Sequence, residues 1–274
     1  MERIVSIILP YYNRREYLKA TLDSFEHYYS DREDFQIVIV DDGSDLDDQV
    51  NDIIGQYNLW IKLIIIENKR GINPCYSNNV GVRYSDGDII VLSSPEVMHT
   101  CDMFELSNNF EKLTDGSYLQ FSVFCVTETG IRSTLLDDEV AFKTKESLIR
   151  GNVPNFYNNL GCNGDSFNNN MGSWYTHSKI RNNCFNFLSA CTRDTYFNLS
   201  GFNEAFVVGT GYDDADFRDR LLKYVNNNVI WYDDAVAIHI DHPTCSSDNN
   251  TNYFLYDKLR NEVYEKNDTW GLIW

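Results

Sequence analysis

Four largely apolar runs, Val5 to Leu9, Phe35 to Val40, Trp60 to Ile66 and Ile89 to Leu92, alternate with segments whose apolar residues recur at helical spacing. Leu18, Leu22, Phe25 and Tyr29 predict a helix over Arg15 to Tyr29. Leu46, Val50, Ile53 and Tyr57 predict a second, and a third begins at Asn73 or Ser77 and runs through Tyr84. Runs that carry apolar residues on both faces, interrupted only by Ser6, Gln36 and Lys62, need cover on both sides, so this β-α-β-α-β-α-β succession calls for a mainly parallel sheet between helices. After Thr100 the pattern loosens. Tyr118 to Val126 reads as a strand and Gly151 to Asn170 as a long Asn, Gly and Ser loop. Phe185 to Cys191 restores order, ahead of a helix faced by Phe217, Leu221 and Tyr224. Strands follow at Val229 to Trp231 and Ala235 to Ile240. With no internal repeat or linker, residues 1–274 read as a single α/β domain, divided at about residue 100 into a regular half and a looser one, with a tail from 244.

Open α/β sheets bind ligands beyond the carboxyl ends of their strands, and two such ends here carry acids. One is Asp41-Asp42-Gly43-Ser44, able to accept hydrogen bonds from a base or a ribose. A calcium loop built on Asp41, Asp45 and Asp47 is excluded, because Gly43 sits at the wrong offset and a strand precedes it. The other is Ser93-Ser94-Pro95-Glu96, where a buried run breaks into hydroxyls and one carboxylate.

Further along, Gly209 to Phe217 puts Asp213, Asp214 and Asp216 in the first turn of a helix, where the dipole favours carboxylates. Ala237 to Pro243 puts two imidazoles, His239 and His242, near an acid and a chain break, either of them a candidate metal ligand. Trp174, Tyr175 and His177 beside the Asn-rich stretch offer aromatic faces to a sugar. The aromatic tail, with Tyr253, Phe254, Tyr256, Trp270 and Trp274, is expected to fold over the site or to make a homodimer contact.

The net charge of −18, from 41 acidic against 23 basic residues, argues against nucleic acid as a partner. Seven scattered cysteines without a CxxC pair fit reduced thiols, not zinc or a disulfide framework. Val5 to Leu9 is too short, and too soon broken by Pro10, for a signal peptide or a membrane span. A cytoplasmic protein is expected, with the acceptor sequons at Asn198, Asn249 and Asn267 silent.

Ser6-Ile7-Ile8-Leu9-Pro10-Tyr11-Tyr12-Asn13, Val40-Asp41-Asp42-Gly43-Ser44, Asn79-Val80-Gly81 and Gly87-Asp88-Ile89-Ile90 occur in order. Gly201-Phe202-Asn203-Glu204-Ala205-Phe206 and Gly211-Tyr212-Asp213-Asp214-Ala215-Asp216-Phe217 follow. This ordered set resembles the family 2 glycosyltransferases of the GT-A fold, with a galactosyltransferase-like C-terminal acidic motif.

The resemblance implies a nucleotide-sugar donor, usually UDP-linked, held by residues 1–100, and a hydroxyl acceptor bound by residues 101–243. It implies that Pro10 and Tyr11 border the nucleotide and that Asp41 or Asp42 receives the uracil N–H. The basic residue usual after Gly71 is missing from Cys75 to Asn79, which leaves Lys69, Arg70 or Arg83 as substitutes. The family's metal-binding Asp-x-Asp falls on Ser94 and Glu96, so Glu96 is the expected ligand for Mn2+ or Mg2+ and Ser94 a ribose contact. Asp214 is the implied base, and Asp213 and Trp174 are expected to bind the acceptor. The implied reaction is transfer of a hexose or N-acetylhexosamine with inversion, although fold alone does not fix stereochemistry.

A nucleotidyltransferase would open with a Gly-rich basic phosphate loop where Pro10 to Asn13 stand. A dinucleotide enzyme would need GxGxxG after the first strand. A non-catalytic sugar- or nucleotide-binding module on the same fold is the remaining alternative, for which Ser94 and Pro95 speak.

Overall fold

The structure, a computed structural model, describes residues 3–104, 109–158, 171–243, 250–262 and 268–273. Strands β1 (Val5–Tyr11), β2 (Phe35–Asp41), β3 (Trp60–Ile65) and β4 (Ile89–Ser93) lie parallel in the order β3-β2-β1-β4. They are joined by helices α1 (Arg15–Tyr29), α2 (Asn51–Ile54) and α3 (Cys75–Tyr84). Alternation along the strands divides the core. Ile7, Leu9, Ile37, Ile39 and Val91 pack on Leu18, Leu22 and Phe25 of α1. Ile8, Val38, Val40, Ile90 and Leu92 turn to the other face, under Val80 of α3. A Cβ on Gly81 would lie 2.4 Å from Ile8 Cγ2, so a glycine is what lets α3 approach β1 this closely.

The second half continues the sheet as β4-β8-β6-β9-β5, keeping the mostly parallel character through β6 and β9 while adding antiparallel strands at β8, β5 and β7. Its elements are β5 (Val97–Met98), α4 (Asn109–Lys112), β6 (Tyr118–Val126), α5 (Thr129–Leu136), α6 (Phe142–Asn158), β7 (Gly172–Thr176) and β8 (Leu188–Thr192). Then come α7 (Arg193–Asn198), α8 (Asp213–Tyr224), β9 (Val229–Ile240) and α9 (Asn250–Leu259). β8 runs antiparallel to both β4 and β6, β9 is parallel to β6, β5 closes antiparallel on β9, and β7 pairs with β6 off this path.

Three sequence expectations change. Residues 46–57 form a 3-10 turn at Leu46–Asp48 and the single turn of α2, because Leu46, the first position of the period, is left exposed and only Val50 and Ile53 are fully buried, with Ile54 and Tyr57 packed at the edge of the core. Residues 151–158 extend α6 where a loop is expected, since Ile149 and Phe156 bury one face and Phe156 stacks on Phe124 at 4.2 Å. The rest of that loop, 159–170, lies outside the described residues, as do Asn249, Asn267 and Trp274. The two C-terminal strands are one, β9. Its register jumps from Phe121↔Tyr232 to Ser122↔Val236, and the displaced Asp233 accepts Ser122 Oγ at 2.5 Å.

The tail packs behind α3. Arg83 donates to Trp270 O at 2.6 Å and lies over its ring, and Tyr76 Oη donates to Leu272 O at 2.8 Å. Among the described residues no helix is long and apolar enough to cross a membrane.

Candidate active site

Beyond β4 the chain turns at Ser94, whose carbonyl accepts Val97 N at 3.1 Å, and re-enters the sheet as β5 opposite His239. That pairing sets Glu96 against the end of β9, and Ile240 N donates to Glu96 O at 2.9 Å. His242 Nε2 then lies 2.9 Å from Glu96 Oε1 and His239 Nε2 3.4 Å from it. The sequence offered His239 or His242, and the fold gathers both, with one ligand atom from each of the three residues inside 4.8 Å of one another.

Burial alone would raise the Glu96 carboxyl, but the two imidazoles outweigh it and hold the group below the ordinary carboxylate range. Glu96 Oε2 and His239 Nδ1 are buried without a hydrogen-bond partner. A buried carboxylate oxygen left unpartnered is costly unless a cation takes it, so these residues fit a divalent ion. One carboxylate with two imidazoles suits Mn2+ better than Mg2+, which prefers an all-oxygen shell. Tyr17 meets the His242 ring edge-on at 6.0 Å, and Arg14 donates to Pro243 O at 3.3 Å, so the start of α1 steadies the histidine turn.

The nucleotide end is formed where β1 and β2 stop, in the register Pro10↔Val40 and Tyr11↔Asp41. Asp41 Oδ1 accepts Ser44 N at 2.9 Å across a turn in which Gly43 has φ 74°. Asp42 is raised by burial, which Ser77 and Lys69 nearby partly offset. Asp42 Oδ1, Ser77 Oγ and Asn78 Oδ1 are all buried without partners, as at a surface built to meet a polar ligand.

Tyr11 departs from expectation. Its side chain is buried, with Oη donating to Asp48 O at 2.5 Å, so only its backbone borders the cleft. The half-buried ring beside the cleft is Tyr12, covered by the Lys69 ammonium. Arg70 is exposed and stacks over Tyr76 at 4.5 Å, and Arg83 is committed to the tail, which leaves Lys69 as the cation beside Asp42.

The acids of α8 are set by an unusual N-terminus. Tyr212 caps the helix at φ 65°, a left-handed conformation costly for a bulky residue, and its ring is held by Tyr253 and Tyr256 of α9. Asn252 of α9 donates to Gly211 O at 2.8 Å and Phe206 O at 3.0 Å, and a Cβ on Gly209 would lie 2.4 Å from its Oδ1. Asp213 then accepts Asn73 Nδ2 at 2.8 Å and Asp214 accepts Asn186 Nδ2 at 2.9 Å. Burial raises both carboxyls, Asp213 further through the charge of Asp214. Asp216 pairs with Arg220 at 2.8 Å and is structural.

Trp174 is not available to an acceptor. It is fully buried between Phe124, Tyr157 and His177, with Nε1 donating to Phe156 O at 3.2 Å, because β7 lies inside the sheet-helix layer.

The aromatic residues beside the site are others. Phe187 and Tyr175 flank His239, with ring centroids at 5.7 and 4.7 Å. Asn186, the residue before Phe187, reaches Asp214, so one dipeptide touches both the Glu96 cluster and the α8 acids. Sequence reading missed Asn73, Asn186 and Asn252. In so Asn-rich a chain an asparagine carries no signal until a partner is seen.

Residues 6–95 match the family model described as Glycosyl transferase family 2, a stretch that ends one residue before Glu96. No curated protein matches the chain significantly by sequence. Among solved structures it is similar to TarS of S. aureus, with TM-score 0.62 and 16% identity over 94% of this chain and 39% of that one. It is similar to GalNAc-T7, solved with UDP, GalNAc and Mn2+, with TM-score 0.60 and 11% identity over 94% of this chain and 48% of that one. A mannosyltransferase from Pyrobaculum calidifontis, solved with GDP-Man and Mn2+, aligns with TM-score 0.52 and 18% identity over 87% of this chain and 57% of its own. The chain thus spans less than half the length of TarS and of GalNAc-T7. The chain has the GT-A fold of the glycosyltransferases, and its first third matches glycosyl transferase family 2.

Proposed function

We propose that the protein transfers a hexose or N-acetylhexosamine from a nucleotide-sugar, UDP-linked, to an acceptor hydroxyl with inversion. The observation that carries this reading is that Asn186-Phe187 joins three residues able to hold a cation to the acid pair of buried Asp213 and half-buried Asp214 at the carboxyl edge of the sheet. TarS has been solved with UDP-GlcNAc, which supports the choice of donor class. Asp42, Ser77 and Asn78 face the base, and Pro10 and Ser94 border the nucleoside. A divalent ion held by Glu96, His239 and His242 would supply charge neutralisation at the diphosphate.

Asp214 acts as base. Oδ1 is committed to Asn186 and Oδ2 has no protein partner among the described residues, so Oδ2 is the atom that takes the acceptor proton. Asp213, held by Asn73, binds a neighbouring hydroxyl. The five free thiols among the described residues fit a reducing compartment, hence the cytoplasm.

The test is a thermal-shift screen of nucleotide-sugars with and without Mn2+, since a ligand at 100 times its Kd stabilises by about 2.7 kcal/mol. Stabilisation by none of them would sink the reading. Stabilisation without turnover on any acceptor would favour a binding module, the alternative that Ser94 in place of an acid supports.

A further inference from the structure

We infer that the acceptor carries an anionic group, a phosphate or carboxylate, which binds at Arg181 and Arg218, the two arginines that lie over the Phe185 ring. The inference rests on the transferase reading and names the acceptor class for it.

Phe185 directly precedes Asn186, the residue bonded to Asp214 at 2.9 Å. The Arg181 guanidinium lies 5.6 Å from the Phe185 ring centroid and that of Arg218 5.5 Å from it. Arg218 is one helical turn beyond Asp214 on α8, on the same face. Two cations therefore border the place where the acceptor hydroxyl must stand.

Their donors are only partly used. Arg181 gives Nη1 to Trp174 O at 3.2 Å and has no carboxylate partner among the described residues. Arg218 gives Nε and Nη2 to Asp219 Oδ1, at 2.9 and 2.7 Å, and keeps Nη1 without an acceptor among the described residues. Arg181 Nε and Nη2 and Arg218 Nη1 remain for a ligand, and a guanidinium fork matches a phosphate or carboxylate.

A chain of net charge −18 repels anions in general. A local pair of arginines beside the α8 acids reverses that field locally. A neutral acceptor would leave these donors to water and gain nothing from them.

Calorimetric titration of the full chain with glucose, glucuronate and glucose 6-phosphate, with and without saturating UDP and Mn2+, tests this. The charged sugars should bind at least about tenfold more tightly than glucose, as a charge-assisted hydrogen bond predicts, and the preference should fade with salt. Arg181→Gln should remove most of the preference and leave UDP and glucose binding unchanged. Arg218→Lys, which keeps a cation but loses the fork, should reduce it. Charged and neutral sugars binding alike, or not at all, would overturn the inference. So would an Arg181→Gln variant that loses UDP affinity instead, because the pair would then serve the donor diphosphate. Failure of the parent protein to bind UDP counts against the transferase reading alone, since the sugar titrations without nucleotide still report on the arginines.

Discussion

Asn186 and Asp214 meet at 2.9 Å across the boundary between the loop before β8 and the first turn of α8, and Tyr118 Oη in turn donates to Asn186 Oδ1 at 2.9 Å. The amide is locked by the phenol, so its NH2 has one orientation and the carboxylate it meets has one free oxygen. Asp214→Asn keeps the shape and removes the basicity. Transfer should fall by about 10²- to 10⁴-fold while UDP affinity is unchanged, measured by product formation and by calorimetry. A variant retaining full activity removes Asp214 as the base.

Glu96 is the one acid among the three residues grouped as a metal site. Glu96→Ala should lower donor affinity in Mn2+ to the level the parent protein shows in chelator. The check is a donor titration with and without EDTA on both proteins. Equal donor affinity in the parent with and without chelator would mean that no ion takes part.

The raised carboxyl of Asp213 makes stability fall as pH rises. Asp213 is pushed up to about 7 by burial and by Asp214, whereas in the unfolded chain it titrates near about 3.9. Between those values the folded state holds the extra proton, so stability is fully present at low pH and is lost as pH rises through the folded value. Asp213→Asn still accepts Asn73 and carries no charge. It should flatten this slope and raise stability at pH 8 by roughly 1 kcal/mol or more, read from urea denaturation at pH 5 and pH 8. A slope identical to that of the parent would contradict the assignment.

Asn252 ties α9 to the loop that aims the acids. Asn252→Ala removes the shorter of two hydrogen bonds to each of the carbonyls of Gly211 and Phe206, which keep Asn73 Nδ2 and Gly209 N, and should cost about 1–2 kcal/mol. It also releases the left-handed Tyr212, so kcat should drop by more than KM rises. A variant as stable and as active as the parent would show that the tie is incidental.

Much of this could be read from residue order. The parallel half was legible because Ile7, Ile8, Ile37, Val38 and Ile90 leave no polar face, a pattern only a sheet covered on both sides satisfies. Glu96 was legible from the break after Leu92. The choice between His239 and His242 was not, because His242 lies beyond the end of β9 and strand alternation says nothing about it. Trp174 misled, since an aromatic in a polar neighbourhood looks exposed until α6 is seen to cover it. The helix expected over 46–57 failed for the opposite reason: the period was present without enough buried surface behind it.

Glu96 and His242 are separated by 146 positions in the chain. At a synthesis rate of about 5–20 residues per second the carboxylate waits on the order of 7 to 30 s for its imidazoles to be made. During that time β1 to β4 and their crossovers already exist, and a sheet can form that holds no ion. A product cut short before β9 would therefore lack both imidazoles, and its Glu96 would have neither of the two partners with which it would hold a cation.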